Sequence, residues 1–155
     1  MTSQQRFLDD LSSAQVIRTS VRAVIVHDGR VLVQQPSDEP ESCYAFIGGR
    51  VEFGELLEER LRKELSEELG AKQRSSRYLF FVENRFSHGG RLVHLHEHFF
   101  QVELETDEIR SIEPSLIQKW LPLARLGDFD VRPHVVRDAI IRGEHSTVRH
   151  LIASL

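Results

Sequence analysis

Hydrophobic and polar positions change period several times along the chain, and each change predicts an element. Residues 1–15 are polar, with a short helical repeat through Phe7, Leu8 and Leu11 that predicts an N-terminal helix. Two β-rich runs follow, Val21 to His27 and Arg30 to Gln35, joined by Asp28-Gly29, the strongest short hairpin signal in the sequence. After the polar loop SDEPES, the segment CYAFI reads as a short strand that stops at Gly48-Gly49. Apolar spacing then lengthens to a helical period from Glu55 to Leu69, with Gly70 placed as the C-cap. Arg77 to Asn84 and Leu92 to Leu104 are strand-like, and the turn SHGG makes them a second hairpin. The acidic stretch ETDEIRSIEPSL leads to KWLPLARL, a strand running into a turn or helix start. RPHVVRDAIIRG predicts a last helix, with Pro133 in its first turn and Gly143 after its end, and EHSTVRHLIASL one more short strand. The expected fold is α/β, a mixed sheet with helices on both faces as an α/β/α sandwich.

The central helix raises a chemical question, because it is crowded with glutamates. At about 100° per residue, Leu57, Leu61, Leu65 and Leu69 form one buried stripe. Glu64 and Glu68, about 40° apart, border that stripe, and Glu67 lies about 60° beyond Glu64. Glu58 and Glu59 lie elsewhere on the wheel, solvated or paired with Arg62 and Lys63. Carboxylates at these spacings repel one another unless a cation neutralises them, and oxygen donors of this kind suit a hard ion such as Mg²⁺ or Mn²⁺. The preceding Gly-Gly lets the backbone turn tightly and brings its carbonyls close to an ion. Against this stands the ordinary reading, a charged helix that is merely solvated surface.

Composition narrows the field. The chain has 155 residues, the size of one compact domain, with 40% apolar and 28% charged residues as in a soluble globular protein. No apolar run approaches the roughly 20 residues of a membrane span, and the N-terminus carries no signal-peptide pattern, so the cytoplasm is the expected compartment. A formal charge of -4 argues against nucleic-acid binding. The lone cysteine, Cys43, has no partner for a disulfide or a zinc knuckle and reads as a packing residue.

Spacing decides between the two readings of the helix. From Gly49 the sequence runs RVEFG, Glu55, LLEERLR, Lys63, Glu64, Leu65, Ser66, Glu67, Glu68, Leu69, Gly70 and Ala71. This resembles the Nudix box, G-x5-E-x7-R-E-U-x-E-E-x-G-U with U aliphatic, and every glutamate and both glycines fall in register. The surrounding strands, the WLPLARL turn after Trp120 and the C-terminal helix also look like the Nudix fold, so the likeness covers about residues 18–145 of a single domain spanning 1–155. Three positions depart from the family: Lys63 stands where Arg is usual, Ile47 where Pro commonly precedes the glycines, and Ala71 is small for an aliphatic position. Lys63 keeps the charge of an arginine and loses its planar fork.

The resemblance implies a hydrolase that cleaves the pyrophosphate linkage of nucleoside diphosphates joined to a further group, by attack of a metal-activated water. It implies Glu64, Glu67 and Glu68 as ligands of Mg²⁺ or Mn²⁺, with a backbone carbonyl of Gly48 or Gly49, and Glu64 and Glu68 as the residues most critical to catalysis. Glu55 would fix the loop rather than bind metal, with Lys63 as its structural companion. A further acid, ligand or general base, is expected from outside the box, Glu113 as first candidate and Glu97 as second. Arg50, Arg85 and Arg91 are candidates to meet substrate phosphate, and Glu97 is a candidate to line the substrate site. A homodimer is a common state in the family. The alternative left open by Lys63 and Ile47 is a Nudix module that binds nucleotide without cleaving it.

Two further patterns leave alternatives open. His94, His96 and His98 alternate and so share one strand face, which suits zinc or copper, hydrogen-bond donation beside a phosphate pocket, or packing. Phe80, Phe81, Phe86, Phe99 and Phe100 read mainly as core, with one or two available to stack on a base.

Overall fold

A computed structural model describes residues 2–153; Met1, Ser154 and Leu155, which the end-segment expectations included, lie outside the described residues. Helix α1 (Ser3–Ala14) starts with a reciprocal cap: the Thr2 hydroxyl accepts from Gln5 N–H at 3.2 Å, and the Gln5 side chain accepts from Thr2 N–H at 3.0 Å. Leu8 and Leu11 pack on Val93, Leu95 and Phe86, while Phe7 is largely exposed.

Strands β1 (Ile17–His27) and β2 (Arg30–Pro36) form the expected hairpin. Asp28 and Gly29 both take positive φ, 49° and 68°, as a two-residue turn requires. β1 begins four residues earlier than its apolar run suggests, because β6 (Arg91–Leu104) pairs parallel with it from Ile17 opposite His94 to Ile25 opposite Val102. Backbone pairing extends the strand where side-chain pattern is silent.

The segment expected as one strand ending at Gly48-Gly49 is two. β3 (Tyr44–Ala45) pairs with β2, and β4 (Ile47–Arg50) pairs with β1, with the buried Phe46 between them. β4 runs through both glycines, and at Gly48 only glycine fits: a Cβ there would lie 2.0 Å from the Val21 carbonyl oxygen. The central helix α2 (Leu57–Leu69) starts two residues after Glu55. It ends on Gly70 (φ 59°), whose N–H donates to the Ser66 carbonyl, and Ala71 N–H donates to the Leu65 carbonyl, the double bond of a glycine C-cap.

β5 (Gln73–His88) and β6 are longer than their apolar runs and meet at Gly89-Gly90, with His88 opposite Arg91. A register shift between Tyr78 and Phe80 leaves both Leu79 and Phe80 buried. β7 (Leu116–Pro122) pairs with β2 and leads into a 3-10 helix, Leu123–Asp128. β8 (Val131–Arg132) lies beside β3, and β9 (Arg149–Ala153) runs parallel to β5 at the sheet edge. In α3 (His134–Ile141), Pro133 is the N-cap rather than a first-turn residue, its carbonyl accepting from Val136 N–H.

The nine strands among the described residues join one mixed, curled sheet. Alternation in β1 and β2 divides its faces: Val24, Val31 and Val33 join Phe46, Phe80, Phe99 and the α3 residues Val136, Ala139 and Ile140. Val21, Ala23, Ile25 and Leu32 join Leu61, Leu65 and Leu69 of α2. Helices thus cover both faces, the expected sandwich. No helix among the described residues is long and apolar enough to cross a membrane.

Because Leu65 is only 1% exposed and Leu57 is partly covered, Leu65→Ala is expected to cost about 2–5 kcal/mol in urea unfolding, and Leu57→Ala clearly less. Equal costs would show that the stripe is not the packed face of α2.

Candidate active site

The site is made where α2 lies against β4. Its first component is the loop between them. Glu52 N–H donates to Glu55 Oε2 at 3.0 Å, so the Glu55 carboxylate closes the turn ahead of the helix. Arg60 then grips both oxygens of Glu55, Nε to Oε2 at 2.8 Å and Nη2 to Oε1 at 2.7 Å. Lys63 Nζ adds a contact to Oε1 at 2.8 Å. These partners, Arg60 foremost, hold the Glu55 carboxyl down at about 2. The pairing expected for Lys63 with the outer glutamates is replaced by this one, and Glu59 instead accepts from Leu56 N–H at 2.9 Å to cap the helix.

Arg60 also reaches one turn along the helix, Nη1 to Glu64 Oε1 at 3.2 Å. Glu64 presses against the β4 backbone so closely that a Cβ on Gly49 would sit 2.3 Å from the same oxygen. The close atoms are the end of a flexible side chain, so a larger residue at 49 would displace the Glu64 carboxylate rather than strain the backbone. Burial pushes the Glu64 carboxyl up, with Arg60 opposing and the neighbouring charge of Glu67 adding to the rise.

Glu68 is the deepest of the three at 7% exposure, and its Oε2 is buried with no hydrogen-bond partner. Burial first, and then the charge of Glu64, pushes its carboxyl up to about 8, against the opposing pull of Arg22, Gln34 and the Gly48 amide. Glu67 is exposed on the outer side. The three carboxylates do not converge closely: among the described residues the one set of three ligand atoms within 4.8 Å of one another is His27, Asp28 and Asp107, exposed at the β1–β2 hairpin. A divalent cation fits the donor chemistry at the box, since it would complete the orphaned Glu68 oxygen and offset the burial and like charge that raise Glu64 and Glu68.

The other expected residues scatter more widely. Glu97 is 3% exposed and accepts from Arg22 Nε at 3.4 Å and Asn84 Nδ2 at 3.0 Å. Arg22 also donates to the Phe46 carbonyl at 3.2 Å, so it ties Glu97 to the residue just ahead of the glycine-bearing strand. Glu113 lies on the loop after β6, where Ile112 N–H donates to the Glu68 carbonyl, and its own carboxylate accepts from Ser115 N–H at 3.2 Å and Ser115 Oγ at 2.8 Å. Arg50 is held by Glu52 at 2.9 Å, Arg85 sits opposite His94 in the β5–β6 ladder, and Arg91 donates to Ser13 Oγ of α1. His94, His96 and His98 share a face as expected, but His98 Nδ1 is engaged by Tyr78 OH at 2.8 Å and its ring stacks on Phe81. Packing is the reading that fits them.

Sequence reasoning missed Arg60, Arg22 and Gln34. Arg60 was legible in principle, four residues before Glu64 on the same helix face. Arg22 and Gln34 were not, because their proximity to Glu68 depends on how β1 and β2 fold beneath α2.

The NUDIX domain model matches residues 16–140, and the chain belongs to that family. Among curated proteins it is similar to the CTP pyrophosphohydrolase of Escherichia coli K12, 36% identical over 78 residues, which are 49% of this chain and 56% of that protein. The matched region thus spans little more than half of that relative. The MutT NUDIX hydrolase of Burkholderia pseudomallei superposes with a TM-score of 0.66 at 28% identity, over 86% of this chain and all of that one. An ADP-ribose pyrophosphatase from Streptococcus suis shares the fold at a TM-score of 0.64 and 15% identity, over 87% of this chain and 99% of that one.

A proton held by Glu68 up to about pH 8 in the folded chain, against 4.5 for an ordinary glutamate, fixes a sign. The folded state binds more protons across that window, so metal-free stability falls as pH rises through it. Melting curves in chelator are expected to show this fall, and millimolar Mn²⁺ to reverse it at the alkaline end. An identical pH profile for Glu68→Gln would rule out Glu68 as the group responsible.

Proposed function

We propose that the protein is a Nudix pyrophosphohydrolase that cleaves the pyrophosphate linkage of a nucleoside diphosphate joined to a further group. The observation that carries this reading is the buried, half-partnered Glu68 carboxylate beside Glu64 and the Gly48-Gly49 strand. A chain gains nothing in stability by burying two glutamates side by side, so the arrangement serves a cation. Glu64, Glu67 and Glu68, with a carbonyl of Gly48 or Gly49, would hold Mg²⁺ or Mn²⁺. Such an ion neutralises phosphate charge and lowers the pKa of water.

The chain's own residues do the rest. Glu55, gripped by Arg60 and Lys63, keeps the loop and the start of α2 in fixed relation, so Glu64 meets the glycine strand in one geometry. Proton removal from the attacking water falls to a carboxylate, Glu64 or Glu113. Arg22, between Glu97 and the site, contributes positive charge that favours the ionised Glu64 and Glu68. The products are a nucleoside monophosphate and a phosphorylated remainder. Partial similarity to a CTP pyrophosphohydrolase supports nucleoside triphosphates as the leading substrate class, with ADP-ribose next.

The non-cleaving alternative rested on Lys63 and Ile47. Ile47 is fully buried in the core beneath α2, and a guanidinium fork on Glu55 is present after all, from Arg60.

Formation of nucleoside monophosphate from nucleoside triphosphates, ADP-ribose, sugar nucleotides and dinucleoside polyphosphates, with Mg²⁺ and with Mn²⁺, tests the proposal. Turnover is expected with at least one of them and is expected to fall by about 10²–10³-fold in Glu68→Gln. Nucleotide binding without turnover across the panel would instead favour the non-cleaving module.

A further inference from the structure

The arginine that the Nudix pattern places before the first ligand is a lysine here, and the structure shows where the lost fork has gone. Arg60 makes two parallel hydrogen bonds to Glu55, at 2.7 and 2.8 Å, and a third to Glu64 at 3.2 Å. All three side chains are largely covered, with 13%, 13% and 12% exposure for Arg60, Glu55 and Glu64. Lys63 touches only Glu55, through one oxygen that Arg60 already engages, and is 54% exposed. Helix geometry explains the division. Position 63 immediately precedes Glu64 and lies about 100° round the axis from it, whereas position 60 is one turn below Glu64 on its own face.

We propose that Arg60 is the positioning residue of this site: it clamps Glu55 and Glu64 together, and Lys63 is an accessory solvent-facing contact. The inference rests on the metal-site reading above. A planar guanidinium can serve two carboxylates at fixed angles, and an ammonium on Glu55 alone cannot. Arg60 engages Glu64 through Oε1, and both oxygens of that carboxylate lie against Gly49. The clamp therefore presets one metal ligand against the glycine strand while the same side chain secures the loop.

The test compares Arg60→Ala, Arg60→Lys, Lys63→Ala and the double variant Arg60→Ala/Lys63→Arg, each measured for Mn²⁺ dissociation constant by electron paramagnetic resonance, for metal-free melting temperature, and for kcat and KM. Arg60→Ala is expected to weaken Mn²⁺ binding by about 10–100-fold, the usual effect of losing a residue that orients a ligand. Its loss is expected in kcat more than in KM. Arg60→Lys, which retains charge and keeps the fold measurable if the alanine variant unfolds, is expected to remain several-fold weaker than wild type. Lys63→Ala is expected to lose less than Arg60→Ala. Restoring an arginine at position 63 in the double variant is expected to recover part of the affinity by regripping Glu55. Mn²⁺ affinity in Arg60→Lys equal to wild type, or a loss in Lys63→Ala as large as in Arg60→Ala, would overturn the proposal. Wild-type protein that fails to bind millimolar Mn²⁺ would remove the metal site itself and this inference with it. Wild-type binding with an indifferent Arg60 would remove this inference alone.

Discussion

Glu68 sets the terms for the structure around it. Its side chain belongs by position to the apolar stripe of α2, next to Leu65 and Leu69, and the helix cannot pack without carrying it inward. A buried carboxylate is costly to ionise in an apolar surround, and Glu64 beside it makes ionisation costlier still. The surrounding polar groups are arranged against that cost: Arg22 rises from β1, Gln34 from β2, and the Gly48 amide from β4. Helix and sheet therefore meet over an electrostatic problem that hydrophobic packing keeps in place and that a bound cation would resolve.

The loop before α2 answers a different requirement, that the glutamates face one direction. Arg60 and Glu55 form a covered, bidentate pair, which is the geometry in which an ion pair holds shape. The C-terminal end of the helix is held as firmly, by the glycine cap and by Arg110 and Ile112, whose N–H groups donate to the Leu69 and Glu68 carbonyls. With both ends fixed, the ligand-bearing turns in between have little freedom to rotate.

Much of this was legible in the sequence, and for identifiable reasons. The Asp28-Gly29 hairpin, the stripe of α2 and its glycine cap depend on local periodicity, and all three appear where the pattern puts them. The box glutamates have a gapped spacing that few other arrangements share. What the sequence concealed were consequences of pairing at a distance. Ile17 to Ser20 join β1 because β6 lies beside them, and the glycines belong to a strand because Val21 lies across from Gly49. Lys63 drew attention as the departure from the pattern, while its replacement three residues earlier sat in a position the pattern leaves unspecified. Glu97 was named for its place on a strand; its partners, Arg22 and Asn84, come from two other strands.

The way the sheet curls has a consequence for how such a molecule diversifies. β1 and β2 are tied by only two ladder pairs, Val26 with Val31 and His27 with Arg30, before they diverge. Beyond that joint, the two halves meet through rings: Phe46 lies edge to face against Phe99 at 5.4 Å. Spacing maintained by side chains is adjustable in steps of one substitution, with every backbone hydrogen bond left intact. The glutamate-bearing helix and the packing between the halves can thus evolve as separate parts, the one constant in its carboxylates and the other adjustable one side chain at a time.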